Sequence, residues 1–160
     1  MEERNLLLWD NLTEEEKHKL REYWKKKLPP VFDVFSTKPL ELDDNLIIPG
    51  NLYVVGNLNC FNLSVQGDVT VIGEVLCSRI DVKGNFTVIG NLETDCDDIT
   101  VDGDLLVDGR LDCYDIFVRG SAFIYGDIDC CDLTTLHSLY FEGNLKTHNG
   151  HVRVCGEIGG

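Results

Sequence analysis

Glycine recurs in register with a period of seventeen residues through most of this chain, and few folds accommodate that. From Gly50 the glycines stand at Gly56, Gly67, Gly73, Gly84, Gly90, Gly103, Gly109, Gly120, Gly126 and Gly143, so the gaps alternate between six and eleven. Two places depart: the interval from Gly90 to Gly103 is thirteen residues, and His137 holds a site where glycine is due. Self-similarity at so short a period means a stack of coils, each burying its apolar face only against its neighbours.

Counting each coil from its first glycine, apolar residues return at fixed offsets. The third position holds Leu52, Val69, Phe86, Leu105, Ala122 and Leu139; the fifth holds Val54, Val71, Val88, Val107, Ile124 and Phe141. The ninth holds Leu58, Val75, Leu92, Leu111, Ile128 and Leu145. With a two-residue insertion placed around 93–95, Leu63, Ile80, Ile99, Ile116 and Leu133 share the fourteenth. Within each segment these sites alternate with polar ones, the period-2 pattern of a strand with one buried face. Many are Val or Ile, which suit a pleated, half-buried surface. Three short strands per turn with glycine at two corners predict an all-β fold: a parallel three-sided β-solenoid (β-helix) of about six to seven 17-residue coils. Leu46 and Ile48 read as the tail of an incomplete first coil.

The preceding segment differs in kind. Thr13-Glu14-Glu15-Glu16 is a capping box, and Lys25, Lys26 and Lys27 suit the negative end of a helix that Pro29 and Pro30 stop. Leu20, Trp24 and Leu28 fall on one face, and covering the exposed first coil is the use expected for that stripe. Residues 1–40 are thus expected to form a capping α-helix with a connecting segment, and 41–160 the repeat domain.

Charge is unevenly placed. Residues 1–40 carry eight acids and eight Lys/Arg, so the whole net charge of −14 lies on the repeats. That argues against direct contact with nucleic acid or anionic lipid, whose phosphates need Lys and Arg, and favours a basic protein partner. No apolar run approaches the roughly 20 residues that cross a bilayer, and Met1-Glu2-Glu3-Arg4 does not resemble a secretory signal, so a cytoplasmic location is expected.

Aligned coils bring the acids together. Asp98, Asp115 and Asp132 share one position, while Glu93, Asp95, Asp97, Asp112 and Asp129 lie beside it. Like charges on consecutive rungs repel unless solvent, a divalent cation or a basic partner neutralises them. A rigid column of carboxylates could imitate a phosphate backbone. A second outward feature is apolar: Tyr53, Val55, Ile72, Ile89, Leu106, Phe123, Tyr125 and Tyr140 line the first strand of successive coils. A monomer rarely leaves such a stripe wet, so either residues 31–40 pack over it or it joins subunits, as in a homodimer.

Cys60, Cys77, Cys96, Cys113 and Cys130 form a ladder at the eleventh position, with Cys131 and Cys155 off it. A straight column offers at most two neighbours to one ion, short of the four that structural zinc takes, and in-register parallel side chains meet disulfide geometry poorly. Free thiols filling a tight corner are the expectation, with no metal and no cofactor. No catalytic residue is assigned either. His137, His148 and His151 are the histidines of the repeats, and no Ser or Cys nucleophile is visibly paired with one.

The pattern in Val65-Gln66-Gly67-Asp68-Val69 and Val82-Lys83-Gly84-Asn85-Phe86 resembles the bactofilin family of polymer-forming bacterial cytoskeletal proteins. The likeness covers residues 46–158, is architectural, and implies end-to-end filaments; the N-terminal helix and the cysteine ladder depart from it. The chain is also similar in principle to acidic pentapeptide-repeat solenoids that imitate DNA, although the five-residue repeat is absent. The expectation is therefore a non-catalytic acidic binding protein, presenting its carboxylate edge to a basic, nucleic-acid-handling protein as inhibitor or decoy. A phage or mobile-element origin would fit an inhibitor of that sort. The alternative is a bactofilin-like self-assembling scaffold.

Overall fold

The structure is a computed structural model and describes residues 5–8, 13–18, 32–94, 98–148 and 150–159. It is a parallel β-solenoid of about seven turns. Among the described residues, the first face carries nine strands: Asn5–Leu8, Phe32–Ser36, Leu52–Val55, Val69–Ile72, Phe86–Ile89, Leu105–Val107, Ala122–Ile124, Leu139–Phe141 and Ile158–Gly159. The other two faces run through single bent strands in two early coils, Leu58–Val65 and Val75–Val82. Later coils divide them, Leu92–Thr94 continuing the second face and Ile99–Val101 the third.

Each inward column is the one the alternation predicts. Val54, Val71, Val88, Val107 and Ile124 stack fully buried, and Leu58, Leu92, Leu111 and Leu63, Ile99, Val101 do the same on the other faces. Because every rung repeats the same inward sites, the core is a continuous column of side chains. In the last complete coil the same sites, Phe141, Leu145, Val152 and Val154, are only half-buried, and Ile158 beyond them is 62% exposed.

The glycines are corners because the rungs meet there backbone to backbone. Gly67 donates to the Gly50 carbonyl at 2.9 Å and Gly84 to Gly67 at 3.0 Å. A Cβ on Gly84 would sit 2.8 Å from the Gly67 oxygen, closer than side chains pack. His137 continues the same column, accepting from Gly156 at 2.7 Å.

Two expectations about the start of the solenoid are revised. The first coil is complete: Val34 pairs with Leu52, Leu40 with Leu58 and Leu46 with Leu63, so strand pairing reaches into residues 32–41. Its corners carry Phe32 and Lys38 in place of glycine, which is why the glycine period does not reveal it. Buried Ser36 takes the place of the inward valine, and its hydroxyl donates to the Lys38 carbonyl at 2.8 Å. Moreover, Phe32–Ser36 lies within the first-face sheet, with Asn5–Leu8 paired beyond it, and so does not cover the outward stripe.

The capping box is present. Thr13 N–H donates to Glu16 Oε1 and Glu16 N–H to Thr13 Oγ1, both at 3.1 Å, and residues 14–18 are helical. Leu20, Trp24 and Leu28, on which the capping role rested, lie outside the described residues.

Candidate functional site

Side-chain acceptors link one coil to the next at the corners. Asn51 N–H donates to Asp33 Oδ1, Asp68 N–H to Asn51 Oδ1, and Asn85 N–H to Asp68 Oδ1, each at 2.8 Å. Asp104 N–H donates to Asn85 Oδ1 at 2.9 Å and Ser121 N–H to Asp104 Oδ1 at 2.8 Å. In this column the residue that follows the corner position supplies an acceptor to a backbone N–H on the next rung, a bond worth about 1 kcal/mol. The sequence reading did not find this role, although the repeated Gly-Asn and Gly-Asp pairs were its signal. Asp33, Asn51, Asp68, Asn85 and Asp104 alternate charged with neutral, so like charges are two rungs apart.

The predicted acidic edge is built differently. Glu93, Asp112 and Asp129 pair on successive rungs of the second face, with Lys146 next in the column. Asp115 and Asp132 pair on adjacent rungs at the neighbouring corner. Asp98, Asp115 and Asp132 together line one shallow groove of about 250 Å³, floored by Thr100, Phe117 and Thr134. Two unit charges a rung apart, roughly 5 Å, repel by about 1 kcal/mol in water before salt screens them. Asp95 and Asp97 fall outside the described residues.

Cations offset part of this. Arg110 lies 3.2 Å from Asp112 and 3.9 Å from Asp129, and His148 Nε2 also meets Asp129. Asp132 Oδ1 accepts the His151 N–H at 2.7 Å. Among the described residues, the carboxylates of Glu93 and Asp115 make no hydrogen bond or ion pair. The edge is therefore half structural: Asp112, Asp129 and Asp132 are engaged, whereas Glu93 and Asp115 face solvent.

The apolar stripe is present but divided. Tyr53, Val55, Ile72, Ile89 and Tyr125 are each about 40% exposed, while Leu106, Phe123 and Tyr140 are half-buried. Register places Thr70 and Thr87 between Tyr53 and Leu106 in one column. Exposed Asp108 stands between Ile89 and Tyr125 along the chain. Two apolar patches result, and Phe35 extends the first by stacking on Tyr53 at 5.2 Å.

The cysteine ladder needs one correction. Thr94, not Cys96, pairs with Cys77, so the insertion follows Thr94 and Cys96 lies outside the described residues. A two-residue shift preserves inward–outward alternation, so the hydrophobic pattern alone does not locate it. Cys60, Cys77, Cys113 and Cys130 are buried free thiols, Cys131 is half-buried and Cys155 exposed. The hydrogen bond between partners raises Cys60 and Cys113 and lowers Cys77 and Cys130, burial opposing ionisation in all four.

No family model matches this chain, and no curated protein or solved structure is significantly similar to it. The fold rests on its own geometry. No described helix is long and apolar enough to cross a membrane.

Proposed function

We propose that this chain is a non-catalytic binding protein whose acidic edge engages the basic groove of a nucleic-acid-handling protein, as inhibitor or decoy. One contrast carries the reading. At the glycine corner Asp alternates with Asn or Ser and repulsion is avoided; at the edge, acids occupy consecutive rungs, and Glu93 and Asp115 satisfy nothing in the fold. Carboxylates kept at a cost of about 1 kcal/mol per pair are best explained by something that neutralises them. A rigid solenoid also holds them at fixed spacing, so little side-chain order is lost on binding.

The test is the triple change of Asp98, Asp115 and Asp132 to Asn, which keeps the Oδ1 acceptor that His151 uses. Binding to a partner captured from the native host should weaken and its salt dependence should flatten, and duplex DNA should compete for the same partner surface. Equal binding by the variant at low salt would leave the edge as ordinary solvated surface.

A second reading has its own support. The half-buried Phe141, Leu145, Val152 and Val154 at the last coil would suit end-to-end stacking of a bactofilin-like scaffold. Electron microscopy with light scattering separates the two, filaments favouring the scaffold and a small discrete oligomer the binder. For the first face, the occupant proposed is a second copy of the chain, joining the two apolar patches in a homodimer.

A further inference from the structure

The buried thiols fall into two pairs, and their surroundings differ. Cys60 Sγ and Cys77 Sγ lie 3.4 Å apart on adjacent rungs. Beside them opens a cavity of about 150 Å³ whose walls include Leu42, Phe61 and Leu76, with exposed Asp43 at its rim. The second pair, Cys113 and Cys130, is set among Asp112, Asp115, Asp129 and Asp132, whose charges oppose thiolate formation. Thr94 stands between the pairs.

We propose that Cys60 and Cys77 form a two-coordinate site for a soft monovalent cation, copper(I). Among the described residues no three His, Cys, Asp or Glu side chains converge, so an ion that demands four ligands does not fit. Copper(I) is satisfied by two thiolates, and soft sulfur ligands select it. Binding forms two Cu–S bonds and releases both thiol protons to solvent; no electron moves, and the dithiolate centre carries one negative charge. Linear coordination needs the sulfurs farther apart than 3.4 Å. Cys60, 5% exposed against 1% for Cys77, is the one with room to turn towards the cavity. The pocket is open to solvent, which gives an ion a way in, and the Asp43 carboxylate among its lining residues favours entry of a cation.

The experiment is an anaerobic titration of the full chain with copper(I) against the chromogenic chelator bathocuproine disulfonate. The wild type should retain one equivalent and gain a near-ultraviolet thiolate-to-copper absorption. Cys60→Thr and Cys77→Thr should lose both signals, whereas Cys130→Thr, and a variant with Cys96, Cys131 and Cys155 replaced by Ser, should keep them. Threonine already occupies this ladder site at Thr94 and Thr147, so the fold has precedent for it, and circular dichroism melting checks each variant. Copper K-edge absorption on the wild type needs no substitution, and two sulfur ligands are expected. The site is refuted if the chelator strips all copper from the wild type. Retention of the equivalent by Cys60→Thr and Cys77→Thr, or nitrogen ligands at the metal, would refute it equally.

Discussion

Two sets of acids on the same solenoid obey opposite rules. At the glycine corner, Asp33, Asp68 and Asp104 are separated by Asn51 and Asn85, and each carboxylate accepts a backbone N–H from the next coil. At the edge, Glu93, Asp112 and Asp129 stack without a neutral spacer, as do Asp115 and Asp132. The corner shows how the fold uses a carboxylate when structure is its purpose. At the edge Asp132 keeps that usage, accepting the His151 N–H, whereas Glu93 and Asp115 depart from it, and the departure is what separates a surface shaped by folding from one with another task.

The comparison presumes one shared core, and Val88→Asp tests that presumption with the largest effect. Val88 is fully buried, so an unpaired carboxylate there should remove about 3–5 kcal/mol. Aggregation, or loss of a cooperative melt, is the expected outcome. A soluble variant with unchanged Tm would mean that the column is not inward.

The contrast itself is tested by two single changes. Asp68→Ala orphans the Asn85 N–H and should lose about 1 kcal/mol in urea unfolding. Asp115→Ala should change stability by less than about 0.5 kcal/mol, as surface substitutions do. Similar losses in both would erase the distinction between corner and edge.

The first face supplies a third region for comparison. Ile89→Lys combined with Phe123→Lys should give a folded monomer by sedimentation, with a stability change within about 0.5 kcal/mol at the monomer level. A wild type that is already monomeric would end the dimer proposal. The smallest effect belongs to the triple Asn variant at positions 98, 115 and 132. Relief of repulsion should raise stability by a few tenths of a kcal/mol at low salt, and that gain should vanish at high salt. Destabilisation instead would mean that the carboxylate charges themselves, beyond the acceptor that Asn keeps at position 132, support the fold.

Much of the fold was legible in advance because a solenoid's contacts are periodic in sequence. Leu52, Val69 and Phe86 touch because they are seventeen apart, so the repeat is itself a contact map. The early part of the first coil was missed where Phe32 and Lys38 replace corner glycines, and with Ser36 at a site that elsewhere holds an apolar residue. The insertion was misplaced because shifting it by two leaves every inward residue inward. At the candidate site, the acids were readable as a cluster, but which of them work for the fold was not.

The sequence by itself determined the coil length, the parallel stacking and the inward columns, since burial of alternating apolar residues in a short repeat permits little else. Only the tertiary structure decided which carboxylates accept a neighbouring rung's N–H, that the thiols form two pairs flanking Thr94, and that one pair borders a cavity. Those outcomes depend on side-chain direction and on gaps between rungs, distances of about an ångström that a hydrophobic period does not encode.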